Sequence, residues 1–155
     1  MAKSKFKLGI VGYGFVGQAI DYAFTNDELE KFYVDPKLQT NIDDLCKWNP
    51  TCVFVCAPTP MSDNGTVDGA IVEDAVLKLI EHTDALIVIK STVTPDILTR
   101  LYNSVHDDDK PRITHNPEFL TENNAKDQFI NSRMNALRLW KLYSISLFLE
   151  NNKTK

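Results

Sequence analysis

Residues 12–17 read Gly-Tyr-Gly-Phe-Val-Gly, the GxGxxG spacing of a turn that binds phosphate groups. The motif follows a short apolar run, residues 6–11, and precedes a segment that we predict to be helical to about residue 24. Its first glycine permits a tight turn, its second lets a pyrophosphate approach the backbone, and its third lets the helix pack on the strand. Unpaired N–H groups at the start of the helix would bind the phosphates. The pattern predicts a dinucleotide site at Gly12, Gly14, Phe15, Val16 and Gly17.

An acidic residue follows at the distance expected for recognition of a ribose. Asp35 ends a second apolar run and lies 18 residues after Gly17, where a carboxylate accepts hydrogen bonds from the adenosine ribose hydroxyls. Asp35 favours NAD over NADP because it would repel a 2′-phosphate, although nearby Lys37 would soften that repulsion. The alternative is a glycine turn that binds no ligand and an aspartate that only ends a strand. The order of strand, glycines, helix and acid favours the NAD site.

The rest of the chain alternates between strand and helix patterns, as in a doubly wound α/β protein. Five short apolar runs, rich in β-branched residues, are predicted strands, and they cover residues 6–11, 32–34, 52–56, 85–89 and 112–115. Helices separate several of them, and two have recognisable starts: Asp68 before an apolar stripe, and Thr94 followed by Pro95. Runs that are apolar on both faces and alternate with helices predict a parallel sheet covered on both sides.

Three further segments lie where predicted strands end: residues 57–61 (Ala-Pro-Thr-Pro-Met), 90–95 (Lys-Ser-Thr-Val-Thr-Pro) and 116–122 (Asn-Pro-Glu-Phe-Leu-Thr-Glu). Ligands of such folds bind at the carboxyl ends of the strands. Together with the glycine motif, these segments resemble the N-terminal domain of the UDP-glucose/GDP-mannose dehydrogenase family over about residues 7–133. The resemblance implies a Rossmann-type NAD-binding domain and a nucleotide sugar, of the UDP-glucose or GDP-mannose type, as substrate. Members of that family oxidise the C6 alcohol of the sugar to a carboxylate in two NAD-dependent steps, through a thioester on a cysteine.

Four site residues are implied by the same resemblance. Thr92 matches a family threonine that contacts the cofactor and helps to hold a catalytic water, a role that suits a hydroxyl group. Glu118 matches the glutamate assigned to acid–base work at the reacting carbon, and Glu122 matches a second glutamate, near the nicotinamide. Thr59, between two prolines, matches a position that lines the nicotinamide end of the cofactor. Lys90 is left outside the catalytic set, because a lysine at a strand end is usually a surface residue.

Composition narrows the range of functions further. The chain has 155 residues, a formal net charge of −4 and a pI near 5.3, and it lacks the basic surface of a nucleic-acid-binding protein. Three cysteines without CxxC spacing predict reduced, buried thiols rather than disulfides or a zinc site, and we expect a cytoplasmic protein. Residues 106–109 (His-Asp-Asp-Asp) predict a solvated loop rather than a metal site, because neighbouring side chains in a turn point apart.

The chain departs from the family after residue 133. Family members are more than twice as long, and the domain that carries their nucleophilic cysteine has no counterpart in this sequence, so thioester chemistry would need another chain. We predict an NAD-binding domain over residues 1–133 and a C-terminal segment over 134–155, in which residues 135–149 form a helix before a polar tail. The apolar part of this helix is shorter than the ~20 residues of a membrane span, and no span is expected.

The predicted C-terminal helix leaves several roles open. The helix would pack on the domain or form a homodimer contact. An interfacial membrane helix is less favoured, because the segment has few basic residues. A truncated or frameshifted gene would also end in an unrelated segment of this kind. A separate chain that carries the substrate domain is the other expected partner. Two other functions also stay open: a non-catalytic NAD-binding or assembly module, and a hydroxyacid dehydrogenase of the 3-hydroxyisobutyrate type, which shares the dinucleotide-binding half.

Overall fold

The computed structural model of the protein describes residues 6–25, 29–117 and 122–131. In that part of the chain one parallel sheet contains β1 (Phe6–Val11), β2 (Leu29–Val34), β3 (Cys52–Val55), β4 (Leu86–Ile89) and β5 (Ile113–His115). The order across the sheet is β2-β1-β3-β4-β5. The predicted α/β class and the doubly wound parallel sheet are confirmed. The predictions for Glu118 and for the helix within 134–155 lie outside the described residues.

Five α-helices accompany the strands in the described ranges. They are α1 (Phe15–Ala23), α2 (Ile42–Trp48), α3 (Ala70–His82), α4 (Pro95–Ser104) and α5 (Ala125–Asn131). Thr94 holds the N-cap position of α4, as predicted, although its side chain makes no capping hydrogen bond. The predicted start at Asp68 is one residue early, because Gly69 holds the N-cap position of α3. Asp68 still stabilises this end, since its Oδ1 accepts the N–H of Ala70 at 2.9 Å.

Helix α2 is absent from the sequence-based prediction. It has only seven residues, too few for a clear apolar period. Asn41 starts it by accepting the N–H of Asp44 on its side-chain oxygen at 2.9 Å, and fully buried Leu45 anchors it to the sheet. The contact depends on Gly9 in β1, where a Cβ atom would lie 2.9 Å from Leu45 Cδ1. A glycine in the strand and a leucine in the helix thus fit together across 36 residues of sequence.

Apolar side chains cover both faces of the sheet. β3 and β4 are buried at every position, as expected for central strands of a parallel sheet. One face packs α2, α3 and α4 against residues that include Val53 and Ile87, and the other packs α1 and α5 against residues that include Ile10 and Phe54. Packing on both faces leaves the carboxyl edge of the strands as a firm support for the loops that follow. Among the described residues, no helix has both the length and the apolar character that crossing a membrane requires.

Candidate dinucleotide-binding site

The chain turns sharply after β1, at the point where the strand order changes direction. β1 lies between β2 and β3, and the helices that follow β1 and β3 pack on opposite faces of the sheet. Loops that part in this way leave a crevice, which is where open α/β sheets bind their ligands. Strand-like pairing continues into the turn, because Gly12 N–H donates to Val34 O at 2.8 Å and Cys56 N–H donates to Val11 O at 2.7 Å.

Two of the motif glycines are required by close backbone contacts. Gly12 has φ of +91°, and a Cβ atom there would lie 2.5 Å from the carbonyl oxygen of Cys56. A Cβ atom at Gly17 would overlap the carbonyl oxygen of Gly12. The turn must therefore carry glycine at both positions if the helix is to pack this closely on β1 and β3.

The middle glycine meets no such contact. Apart from Gly14 itself and its two neighbours in the chain, no atom of the described structure lies within 4 Å of a Cβ built on Gly14, and the backbone there is extended, with φ of −78°. The fold itself therefore leaves room for a side chain at this position. A glycine in open space fits a ligand group that approaches the backbone, which is the part that a pyrophosphate would take.

Gly14 is also the N-cap residue of α1. No side chain caps this end of the helix, and its first turn carries no acidic residue. The first N–H groups of a helix have no acceptor within the helix, and they lie at the positive end of its dipole. The start of α1 therefore offers the donors and the electrostatic potential that an anionic phosphate requires.

Asp35 lies immediately after β2 and is bonded to the glycine turn. Its Oδ2 accepts the N–H of Tyr13 at 2.8 Å, and its Oδ1 accepts the N–H of Lys37 at 2.9 Å. These two bonds, from Lys37 first and Tyr13 second, lower the pKa of Asp35. The carboxylate is charged at neutral pH and held in one orientation, with lone pairs left over for ribose hydroxyls. Lys37 bonds to Asp35 through its main-chain N–H, and the charge of its side chain lowers the pKa of Asp35 by a smaller amount.

The loops that carry Thr59 and Thr92 follow neighbouring strands and are bonded to each other. Ser91 is buried, and its hydroxyl donates to the carbonyl of Ala57 at 2.7 Å. This bond joins the residue next to Thr92 to the residue two before Thr59. The side chain of Thr92 is exposed and that of Thr59 is half-buried. Both predicted residues thus lie on loops at the carboxyl edge, the edge that also carries the glycine turn.

Lys90 is buried, contrary to the expectation of a surface lysine. Only 2% of its surface is exposed, and its Nζ donates to Asn116 Oδ1 at 2.7 Å. His115 Nε2 lies 3.3 Å from the carbonyl oxygen of Ser91, and burial lowers the pKa of His115. The ends of β4 and β5 are therefore joined by polar contacts. Sequence reasoning missed this lysine because its partner is 26 residues away; the one local signal is its place directly after four buried strand residues.

Glu122 begins a short 3₁₀ turn, Glu122–Asn124, that leads into α5. Helix α5 packs beside α1. A groove of about 470 Å³ lies between the two and is lined by residues that include Phe15, Gln18, Asn123 and Asn124. The backbone at Glu122 is thereby brought to the same side of the sheet as the start of α1. Glu118 lies outside the described residues.

The residues set aside from catalysis fall into two groups. Cys52 is buried, and burial raises the pKa of its thiol to about 12, while the other two cysteines are half-buried, so the prediction of buried thiols is correct for one of three. All three are free. In the loop that contains residues 106–109, Asp107 forms an ion pair with Lys110, and Asp109 forms one with Arg112. Within residues 6–25, 29–117 and 122–131, no group of His, Cys, Asp and Glu is arranged to hold a metal ion.

Fold and site together define a class of protein. A doubly wound parallel sheet, a glycine turn at the switch point and an acid after β2 define a Rossmann-type dinucleotide-binding domain. The family model described as "UDP-glucose/GDP-mannose dehydrogenase family, NAD binding domain" matches residues 37–135. The chain belongs to this family, and the domain described here is its NAD-binding domain. Because the match begins after Asp35, the glycine turn and the acid support the assignment independently.

Curated relatives are UDP-glucose 6-dehydrogenases, which places the chain in a family of oxidoreductases. The protein from Rickettsia felis is 36% identical over 94 residues, a match that covers 59% of this chain and 21% of the relative. The protein from Rickettsia prowazekii is 32% identical over 108 residues, which cover 62% of this chain and 25% of the relative. The matches therefore span a fifth to a quarter of the length of these relatives.

Solved structures share the fold. A GDP-mannose dehydrogenase from Pseudomonas aeruginosa aligns with a TM-score of 0.64 at 18% identity, over 89% of this chain and 44% of that chain. A UDP-glucose dehydrogenase from Pyrobaculum islandicum aligns with a TM-score of 0.56 at 20% identity, over 93% of this chain and 45% of that chain. At these identities the likeness concerns the fold alone.

The closely packed glycines of the motif, Gly12 and Gly17, should contribute more to the free energy of unfolding than Gly14, which has open space beside it. We expect Gly17→Ala to lower the free energy of unfolding by about 1–3 kcal/mol or more, because the new methyl group overlaps a backbone carbonyl that cannot move away. Gly14→Ala should cost less than about 1 kcal/mol, the difference between residues at an N-cap. Urea unfolding followed by circular dichroism measures both. Equal losses for the two variants would contradict the packing described above.

Proposed function

We propose that the chain binds NAD along the carboxyl edge of its sheet. The pyrophosphate would lie on the turn and the start of α1, and the adenosine ribose would lie against Asp35. The nicotinamide end would reach the loops after β3 and β4 and the turn at Glu122. The observation that carries the proposal is the open backbone at Gly14 on an uncapped helix end, with a charged carboxylate bonded to the same turn. The cofactor-binding residues in this proposal are Gly12, Gly14, Phe15, Val16, Gly17, Asp35, Thr59, Thr92 and Glu122.

We further propose that the domain serves a nucleotide-sugar dehydrogenase that oxidises the C6 alcohol of a UDP-glucose or GDP-mannose type substrate. NAD, when bound, supplies the hydride acceptor. The exposed Thr92 hydroxyl can both donate and accept a hydrogen bond, which suits the holding of a water molecule. Glu118 is the proposed acid–base group, because oxidation of an alcohol requires removal of its proton. Glu122 is a second proposed catalytic residue, near the nicotinamide.

The source of the nucleophile belongs to the same proposal. Burial raises the pKa of Cys52 to about 12 and also raises the pKa of Cys46, so neither thiol is prepared for attack at neutral pH. A thioester step would therefore draw its cysteine from a substrate domain of the family type, whether that domain is joined to this one or belongs to a separate chain. The proposed domain boundary lies at residue 133, and three cysteines outside any disulfide are in keeping with a cytoplasmic location.

A second candidate function is a non-catalytic NAD-binding or assembly module. It is in keeping with the state of Cys52 and Cys46, since burial raises the pKa of both thiols and leaves them unprepared for nucleophilic work. The family assignment gives no support to the hydroxyacid dehydrogenase alternative. Both remaining candidates require that NAD binds, and they differ only in turnover.

Binding of NAD is expected to depend on the open position in the glycine turn. Gly14→Ala places a methyl group where the pyrophosphate approaches, and we expect it to raise the Kd for NAD by about tenfold or more. Isothermal titration calorimetry on the whole chain measures this, with thermal unfolding as a check that the variant stays folded. Unchanged affinity in a folded variant would contradict the proposed position of the pyrophosphate.

Selection of NAD over NADP is expected to depend on the charge of Asp35. Asp35→Asn removes the anion that repels a 2′-phosphate and weakens acceptance of the ribose hydroxyls. We expect the Kd for NAD to rise about three- to tenfold, the scale of a charge-assisted hydrogen bond, while NADP binds no more weakly than before. Asp84→Asn makes the same change of charge on an exposed residue before β4, at the opposite edge of the sheet, and should leave both affinities unaltered. Parallel effects of the two variants would count against a ribose contact.

Turnover separates the two candidate functions. The whole chain is incubated with NAD and either UDP-glucose or GDP-mannose, with and without a second chain that carries the cysteine-containing domain of a family member. Formation of NADH, followed by absorbance at the reduced nicotinamide band, is expected in the presence of that second chain. NAD binding without turnover in any combination would support the non-catalytic module instead.

A further inference from the structure

Tyr13 lies between the two glycines Gly12 and Gly14, and each of its three polar groups makes a hydrogen bond to another residue of the domain. Its N–H donates to Asp35 Oδ2 at 2.8 Å. Its hydroxyl donates to Asp21 Oδ2 at 2.6 Å, on α1, and its carbonyl oxygen accepts from Gln18 Nε2 at 3.2 Å. One residue of the turn is therefore tied to the end of β2 and, twice, to the helix.

The acceptor of the Tyr13 hydroxyl is itself fixed from the neighbouring strand. Asp21 Oδ1 accepts from Lys31 Nζ at 2.5 Å and from the Tyr33 hydroxyl at 2.9 Å. Burial raises the pKa of Asp21, but the hydrogen bonds from Lys31, Tyr13 and Tyr33 outweigh it and leave that pKa lowered. The two tyrosine rings also pack against each other, with centroids 4.6 Å apart. Asp21 is thus a charged anchor that cannot shift without breaking contacts to β2.

The Tyr13 hydroxyl stays protonated at neutral pH. Its hydrogen bond to Asp21, together with burial, raises its pKa to about 12. The donor of this bond is therefore present at any pH from acid to mildly alkaline.

The sequence Gly-Tyr-Gly would otherwise be among the most mobile in the chain, because glycine loses more conformational freedom on ordering than any other residue. If the turn is already held in one conformation, ligand binding does not have to include the entropy loss of ordering it. The turn in question carries both Gly14, at the open helix end, and the N–H that orients Asp35.

We propose that Tyr13 is a positioning residue for the dinucleotide, whose hydroxyl bond to Asp21 fixes the glycine turn before the ligand arrives. This inference rests on the proposed binding of NAD. It assigns a role to a variable position of the GxGxxG pattern, where the pattern itself specifies no side chain. Tyr13 acts through the turn and through Asp35, without a required contact to the ligand.

Tyr33 offers a matched control within the same cluster. Tyr13→Phe and Tyr33→Phe each remove one hydroxyl from the same carboxylate, and each leaves its ring in place. Only Tyr13 belongs to the turn, whereas Tyr33 belongs to β2. A purely structural role for the cluster predicts equal effects of the two variants on NAD binding.

The experiment measures thermal unfolding and the Kd for NAD, by calorimetry, on the whole chain and its variants. We expect both phenylalanine variants to lower Tm by similar amounts, since each loses one hydrogen bond to a charged group. We expect Tyr13→Phe to raise the Kd for NAD about fivefold or more, and Tyr33→Phe to change it less than about twofold. In Tyr13→Phe/Asp21→Asn the increase in Kd should not exceed that of the larger single variant, because both changes remove one bond.

The outcomes of this experiment test the positioning role of Tyr13. Equal effects of the two phenylalanine variants on Kd, or additive effects in the double variant, would overturn the positioning role while leaving the proposed function intact. If the unaltered chain fails to bind NAD, the proposed function is wrong and the inference with it. Should Tyr13→Phe fail to fold, Gln18→Ala removes another anchor of Tyr13 from an exposed position on α1. Gln18→Ala should then weaken NAD binding about twofold or more with little change in Tm, and an unchanged Kd would overturn the inference.

Discussion

The close contact between Gly12 and Gly17 determines where the first helix can begin. The carbonyl oxygen of Gly12 occupies the volume that a side chain at Gly17 would need, and the carbonyl of Cys56 does the same at Gly12. Through these two contacts α1, β1 and β3 converge within a few ångströms at the carboxyl edge of the sheet. These contacts place the N-terminus of α1 at the switch point in strand order, between β1 and β3. The glycine turn and the start of α1 take their positions from this convergence.

An acidic protein can hold an anionic ligand here because the attraction comes from backbone groups. The chain has a net charge of −4, yet the start of α1 presents N–H groups and no acidic side chain in its first turn. Asp35 does not upset this arrangement, since its carboxylate is already bonded to two main-chain N–H groups. Fixed dipoles therefore serve both the anion that belongs to the protein and the phosphates that would belong to the ligand. The net charge of the chain is a poor guide to the potential inside this crevice.

Local patterns predicted much of this structure, and distant contacts account for what they missed. β1 has the bounds predicted from its apolar run, and the glycine turn and Asp35 lie where their spacing indicates. β2 is longer than predicted, because its first residues alternate in exposure rather than forming a continuous apolar run. Burial of Lys90 depends on Asn116, and α2 depends on a leucine that fits above a glycine in β1. Neither dependence is visible within a short window of sequence.

The arrangement of the loops that carry Thr59 and Thr92, the proposed nicotinamide end of the site, could not be predicted from short sequence windows for the same reason. The position of Thr92 relative to Thr59 is set by the bond from Ser91 to Ala57, which spans 34 residues. Thr59 and Thr92 were predicted from the family resemblance, which identifies residues in the sequence but does not give their positions relative to each other. The structure adds that their loops are tied together at one edge.

The empty space beside Gly14 separates two kinds of selection acting on neighbouring positions. At Gly12 and Gly17 a mutation that adds a side chain injures the fold, so any lineage that needs a folded domain must keep glycine there. At Gly14 the fold imposes no such requirement, and under the proposed mode of binding it is the pyrophosphate that would need glycine there. A descendant of this chain that had ceased to bind a dinucleotide would be free to accumulate other residues at position 14 first, while its neighbours stayed unchanged. With the pyrophosphate placed as proposed, position 14 is the residue at which loss of dinucleotide binding would first be recorded in the sequence.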